Sequence, residues 1–80
     1  MKGAKLHECL ADLGFIVYPD KNSTRGHFVR WPNGSPLGFY QLTRDDIYRT
    51  GWVESPRSQG RIDCPTWTNF YDRITKAKQR

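Results

Sequence analysis

The first apolar positions of the chain recur at the spacing of an amphipathic helix. Leucine or cysteine stands at positions 6, 9, 10 and 13, which form one face of a helix over about residues 4–13. Gly14 follows, and glycine often ends a helix because it adopts the left-handed conformation without steric cost. Residues 15–18 are aromatic or β-branched and are followed by Pro19-Asp20, so they predict a short strand.

Two further apolar segments, residues 27–31 and 37–42, flank a cluster of proline, asparagine, glycine and serine. This arrangement predicts a β-hairpin. A five-residue loop places Val29 opposite Phe39 on the face expected to meet the helices. The other face then carries three residues expected to be exposed: Phe28, Arg30 and Tyr40. A change of one residue in the pairing would exchange part of this assignment.

The second half of the chain contains two predicted helices. Residues 43–46 resemble a capping box with Thr43 as the N-cap, which predicts a short helix ending at Gly51. Aromatic residues and an isoleucine at positions 67, 70, 71 and 74 predict an amphipathic C-terminal helix behind Pro65. Residues 19–26 and 55–61 are polar and are expected to be flexible loops, and residues 76–80 are expected to form a basic tail.

The predicted order is therefore α-β-β-β-α-α, an α+β fold in which a small three-stranded antiparallel sheet packs on the N- and C-terminal helices. Eighty residues are too few for two independent cores, so residues 1–80 are expected to form a single domain. One core is expected from the following apolar positions: Leu6, Leu10, Leu13, Val29, Trp31, Phe39, Trp67, Phe70 and Ile74.

Composition narrows the class of protein. Aromatic residues make up 14% of the chain, whereas disordered chains are poor in them. No segment approaches the roughly 18 apolar residues of a membrane span, and charged residues interrupt the N-terminal apolar positions where a signal peptide needs a continuous run. A cytoplasmic protein without membrane contact is therefore expected. Cys9 and Cys64 are too few for a disulfide framework and are expected to be reduced, with a single bridge between them as the alternative.

Patterns for catalysis, metals and cofactors are sparse. No zinc-ligand spacing, phosphate-binding loop or nucleophile elbow is present, so neither a metal nor a cofactor is expected. His27 is a weak candidate for general acid–base catalysis, because histidine titrates near neutral pH. Ribonuclease-type chemistry would also need a second proton-transfer group, such as His7 or Asp20, and a nearby arginine.

One part of the chain resembles a known family. An N-terminal helix ending in Gly-Phe, a strand, Gly26-His27-Phe28 and Pro32-Asn33-Gly34 are similar to the HicA-type mRNA interferase toxins. The resemblance covers residues 6–34 and implies a double-stranded-RNA-binding-like α-β-β-β-α order with a strand histidine. When the Pro-Asn-Gly segments are aligned without gaps, Gly26 and not His27 occupies the catalytic position.

The surplus of basic and aromatic residues favours a nucleic-acid partner, RNA or single-stranded DNA, for a protein that is more a binding domain than an enzyme. The net charge is +5, and eight of the thirteen cations are arginines, which bind phosphate bidentately and stack on bases. An exposed aromatic and basic sheet face would be a stacking platform, with further cations on the two loops and the tail. The candidate contacts are Lys21, Arg25, Phe28, Arg30, Tyr40, Arg57, Arg61, Lys76, Lys78 and Arg80.

A protein partner is the alternative. Three tryptophans and four tyrosines exceed what so small a core needs, and Trp, Tyr and Arg dominate interface hot spots. Trp52 is the tryptophan that the helix and strand patterns explain least, so it is the candidate partner contact. Small basic proteins of this kind are frequent among phage and mobile-element products that inhibit a host protein or nucleoprotein machine. An RNase-type toxin that uses His27 is a weaker third reading.

Overall fold

Five antiparallel strands follow one another across one sheet, in the order β1-β2-β3-β4-β5, and a helix precedes and follows them. The computed structural model describes residues 2–55 and 60–78. The elements within those residues are α1 (Gly3–Asp12), β1 (Ile16–Pro19), β2 (Gly26–Arg30), β3 (Pro36–Leu42), β4 (Tyr48–Glu54), β5 (Arg61–Cys64) and α2 (Trp67–Lys78).

The predicted three-stranded sheet is wrong, although the α+β class holds. Residues 43–46 form the turn of the β3–β4 hairpin and do not begin a helix. The Thr43 hydroxyl accepts hydrogen bonds from the amides of Asp45 and Ile47, both at 3.2 Å. Asp46 has a φ of 67°, a left-handed backbone conformation that does not occur within a right-handed α-helix. The local hydrogen bonds that make threonine an N-cap thus also stabilise a turn. Two strands were missed: β4 because its first residues were assigned to the predicted helix, and β5 because Arg61 was assigned to a loop and residues 62–64 to no element.

Asp46 contacts the start of α1, whereas the sequence placed it in a separate short helix. Its side chain accepts a hydrogen bond from the Gly3 amide at 3.1 Å, and its carbonyl accepts one from the same amide at 2.8 Å. A carboxylate at this position satisfies a free amide and complements the helix dipole. A Cβ at Gly3 would lie 2.5 Å from the Asp46 carboxylate, so a larger residue here would displace that carboxylate. The turn therefore fixes the first residues of α1 against the sheet.

Both helices pack on one face of the sheet, here called the inner face. Eleven buried apolar residues form the core: Leu6, Leu10, Phe15, Val29, Leu37, Tyr40, Leu42, Val53, Cys64, Phe70 and Ile74. Of the predicted core, Leu13, Trp31 and Trp67 pack against this cluster and are partly buried. Phe39 is not part of it. Gly14 ends α1 with a φ of 94°, as predicted.

The pairing of β2 with β3 explains the misplaced aromatic residues. The structure pairs Phe28 with Phe39 and His27 with Tyr40, one residue away from the predicted pairing. Side chains alternate between faces, so Phe39 moves to the outer face and Tyr40 to the inner one. Tyr40 is 0% exposed, and its ring packs edge-on against Phe70 of α2 at 5.6 Å. The prediction that Tyr40 is exposed is therefore wrong.

α2 begins as the sequence predicts. The Thr66 hydroxyl accepts a hydrogen bond from the Asn69 amide at 3.2 Å, which is an N-cap. Phe70 and Ile74 are buried against the sheet.

Cys9 and Cys64 are both free thiols. Within the described residues, neither helix has the length and apolar character to cross a membrane.

Candidate functional site

Four aromatic side chains lie in one row across the outer face of the sheet. Strand register places Tyr18, Phe28, Phe39 and Trp52 directly opposite one another on β1, β2, β3 and β4. This row is called the aromatic stripe. Each of its members is partly buried, by neighbours within the sheet. In the described part of the chain, both helices lie on the inner face, so no helix covers the stripe.

The rings of the stripe contact one another in sequence. Tyr18 and Phe28 are stacked with ring centroids 5.6 Å apart, and Phe28 and Phe39 are tilted at 5.1 Å. Phe39 and Trp52 are stacked at 6.1 Å. Aromatic pairs at these separations are mutually stabilising. The stripe is therefore an ordered surface of ring faces and edges.

An arginine lies at each end of the stripe. The Arg30 guanidinium lies 5.2 Å from the centre of the Tyr18 ring and donates a hydrogen bond to the Tyr18 hydroxyl. A second bond, to the Gly34 carbonyl at 2.7 Å, fixes its position. At the other end, the Arg61 guanidinium lies 3.9 Å from the Trp52 ring centre. Both contacts are cation–π interactions. Two positive charges thus flank an uncharged row of rings.

Gly26, which has no side chain, leaves room for Phe39, one of the two central rings of the stripe. A Cβ at this position would lie 2.6 Å from the tip of the Phe39 ring. Glycine at the start of β2 therefore allows the Phe39 side chain to lie flat across the neighbouring strand. Sequence patterning gave no signal for this contact, since it depends on the register of two strands.

The outer face also carries two acids. Glu54 lies opposite Arg61, and Asp63 lies opposite Trp52. Among the described residues neither acid forms an ion pair, since the one ion pair there joins Lys76 to Asp72 at 3.1 Å. These two acids match Arg30 and Arg61 in number, and the aromatic rings are the distinguishing feature of this face.

The structure brings four of the predicted site residues together: Phe28, Arg30, Trp52 and Arg61. Sequence reasoning missed Tyr18 and Phe39, which complete the stripe. Their signal was present in the alternation of β1 and β3, but the assumed hairpin register turned Phe39 towards the core. Lys21 and Arg25 lie in the loop between β1 and β2 and are exposed. That loop connects the two strands that carry Tyr18 and Phe28.

The other predicted contacts lie elsewhere. Lys76 and Lys78 are on α2, on the opposite side of the sheet from the stripe. Lys76 pairs with Asp72, and Lys78 donates a hydrogen bond to the Leu13 carbonyl at the end of α1. Arg57 and Arg80 lie outside the described residues.

The weak catalytic candidate His27 lies on the inner face. Its ring is 4.6 Å from His7 of α1 and 5.3 Å from Tyr40, centre to centre. Burial lowers the pKa of both histidines, and the neighbouring His7 lowers the pKa of His27 further. Among the described residues, both cation–π contacts lie at the stripe and not at this cluster, and no group of three His, Cys, Asp or Glu side chains can hold a metal ion. The cluster is separate from the stripe.

Comparison with known proteins identifies no relative: no family model, curated protein or solved structure matches the chain. The strand order also departs from the α-β-β-β-α order that the resemblance to the HicA-type toxins implied, since the sheet has five strands. The function must therefore be argued from the geometry of the stripe.

Proposed function

We propose that the protein is a non-catalytic domain that binds single-stranded nucleic acid on the outer face of its sheet. The observation that supports the proposal is the aromatic stripe, a row of four partly exposed rings that no helix of the described residues covers, with an arginine against the ring at each end. Aromatic side chains on an open sheet face are a recurring way to stack two or three unpaired bases. Duplex nucleic acid does not offer its base faces, so the proposal is restricted to single strands.

The stripe would supply most of the affinity through stacking. Stacking of one base on an aromatic side chain contributes about 1–3 kcal/mol. The rings are already ordered by contact with one another, so little side-chain entropy is lost when a base binds. Binding to any base sequence is expected, because every base has a π-face and the stripe presents few hydrogen-bonding groups.

The surrounding cations would hold the phosphates. Arg30 and Arg61 lie at the ends of the stripe, and Lys21 and Arg25 lie in the adjoining loop. If these four cations each contact a phosphate, the logarithm of the affinity should fall against the logarithm of the salt concentration with a slope of about −3. Because the outer face has a modest net charge, we do not expect the affinity to depend more steeply on the salt concentration.

The test is a titration of the full chain with a short single-stranded RNA, a single-stranded DNA of the same sequence and a duplex, at several salt concentrations. Both single strands should bind more tightly than the duplex. Dissociation constants weaker than about 10⁻⁴ M for all three near physiological salt would exclude the proposal, since even non-specific binding reaches that range. Preference for the duplex would exclude the stacking mode.

A protein partner is the second candidate, and the charge balance of the outer face favours it. Glu54 and Asp63 would repel phosphates, whereas a protein surface with both signs of charge would complement them. Trp52, between Phe39 and Arg61, would then be the principal contact. A partner captured from a host lysate after nuclease treatment by the wild type, and not by Trp52→Ala, would support this candidate. Loss of all capture after nuclease treatment would support nucleic acid.

A further inference from the structure

Three aromatic side chains with unsatisfied polar atoms meet on the inner face, where α1 crosses the sheet. The rings of His7, His27 and Tyr40 lie within 5.9 Å of one another, centre to centre. His7 Nε2, His27 Nδ1 and the Tyr40 hydroxyl are buried, and no group among the described residues forms a hydrogen bond with them. These three residues are called the histidine cluster. The chain has two histidines, and both belong to it.

A cavity of about 270 Å³ adjoins the cluster between α1 and the edge of the sheet. Its lining includes both histidines, Ala11 of α1 and the backbone neighbours Val17, Tyr18 and Pro19 of β1. This side of α1 is therefore less closely packed than the side that carries the fully buried Leu6 and Leu10. Space for water therefore adjoins two partly buried imidazoles at the helix–sheet interface.

The charges around the cluster offer little compensation for a proton on either ring. Among the described residues, the charged group that acts on all three members is Asp46, in the turn at the start of α1. Its carboxylate already accepts a hydrogen bond from the Gly3 amide. β1 lines the cavity with Val17, Tyr18 and Pro19, and the Tyr18 ring itself lies in the stripe on the other face; α2 reaches the cluster through the uncharged Phe70 ring. The charged side chains of α1 itself, Lys5, Glu8 and Asp12, are exposed.

We propose that His7 and His27 form a pH-sensitive contact that keeps α1 on the sheet when both rings are neutral and releases α1 when both are protonated. Two imidazolium rings 4.6 Å apart repel each other, and burial makes each charge more costly. Release of α1 carries His7 into water and opens the cavity to His27. Because α2 contributes no titrating group to the cluster, the effect is local to α1.

The direction of the pH dependence follows from the pKa shifts. Burial lowers the pKa of both histidines below the ordinary value of 6.5. The closed form, with α1 on the sheet, therefore binds fewer protons than the open form. The contact has its full stability at pH values above about 6.5. As the pH falls from about 6.5 through the lowered pKa values, the contact weakens. Uptake of two protons on opening raises the opening constant by at most about a hundredfold per pH unit.

Amide hydrogen exchange of the full chain tests the proposal. Protection factors, corrected for the intrinsic pH dependence of exchange, should fall for Leu6 and Leu10 of α1 between pH 7.5 and 5. Those for Phe70 and Ile74 of α2 should change much less. A parallel fall in both helices would overturn the proposal, because it would show global unfolding.

A double variant, His7→Phe with His27→Phe, keeps two rings in place and removes both titrations. It should lose most of the pH dependence of α1 protection, whereas the control Glu8→Gln, an exposed change on the same helix, should keep it. Unchanged pH dependence in the double variant would contradict the proposal. An NMR titration of the wild type is a test that needs no variant. The pKa of both imidazoles should lie below 6.5. A pKa at or above 6.5 for either ring would contradict the proposed contact.

Discussion

Both faces of the sheet carry aromatic rings but use them differently. On the inner face, Tyr40 and Tyr48 are covered by Phe70 of α2. Their polar atoms face into the protein, and burial raises the pKa of both phenols far above its usual value. On the outer face, the rings of the stripe contact one another and two arginines, and no helix of the described residues covers them.

Because of this difference, we expect the two faces to contribute differently to the stability of the fold and to binding. A ring that is completely buried contributes its full apolar area to folding, whereas a partly exposed ring contributes less. The four rings of the stripe lie on a face that no helix of the described residues covers, and exposed apolar patches of this kind often mark interaction sites. The inner face is therefore expected to determine stability and the outer face to determine binding.

The largest expected effect is on the inner face, at Phe70. Phe70→Ala removes a ring that is 0% exposed and packs on Tyr40 and Tyr48. It should lower the free energy of unfolding by about 3–5 kcal/mol, enough to unfold most of so small a domain. Denaturant unfolding followed by circular dichroism measures this loss. Tyr71→Ala, one residue later on the exposed side of α2, is the control and should cost much less.

Two glycines of the sheet also test the difference between the two faces, because a methyl group added at either position would crowd its neighbours. A Cβ at Gly51 would lie 2.5 Å from the Tyr48 hydroxyl and 2.6 Å from the Phe39 carbonyl. Gly51→Ala should therefore destabilise the fold by about 1–3 kcal/mol. Gly26→Ala meets the tip of the Phe39 ring instead, and should weaken oligonucleotide binding more than it lowers stability. Thermal melts and titrations of both variants give the comparison, and equal stability losses with unchanged binding would contradict it.

Within the outer face, the central ring of the stripe should matter most for affinity. Phe39→Ala should weaken binding of a short single strand by about 1–3 kcal/mol, with little change in the salt slope. The loss of stability should be smaller, about 0.2–1 kcal/mol, as for a cross-strand pair on an exposed face. Fluorescence anisotropy measures the affinity. Tyr71→Ala again serves as the matched control, since it removes an exposed aromatic ring from the opposite layer.

The smallest expected effect concerns the arginine at the end of the stripe. Arg61→Ala should reduce the salt slope by about 0.7, the share of one phosphate contact on a single strand. Lys76→Ala removes the same charge from α2 and should leave the slope unchanged. If the lysine variant changes the slope and the arginine variant does not, nucleic acid binds the helical side, where Lys76 and Lys78 lie.

The helices were predictable from the sequence because their apolar spacing is local. The ends of α1 and α2 lie within a few residues of the prediction, and Gly14 and Pro65 mark them. The turn at Thr43 was not predictable in this way, since the same hydroxyl hydrogen bonds serve a helix N-cap and a β-turn. What distinguishes the two is the pairing of β3 with β4, a contact between residues distant in sequence.

The candidate site was predictable in part. Phe28 and Arg30 were placed correctly on an exposed sheet face, and Trp52 was noted because no pattern explained it. Tyr18 and Phe39 could not be added, since a row across a sheet depends on the register of every pair of strands. A shift of one residue in a single hairpin exchanged Phe39 and Tyr40 between the two faces, which moved one aromatic ring into the core and another out of it.

The central claim, that the aromatic stripe is the binding surface, is tested most directly by NMR. The backbone amides and ring protons of the full chain would be followed as a short single-stranded RNA is added. The account predicts that the largest shifts fall on Tyr18, Phe28, Phe39 and Trp52, with upfield ring shifts from stacked bases and little change at Lys76 and Lys78. Shifts concentrated on α2 with an unchanged stripe would contradict it.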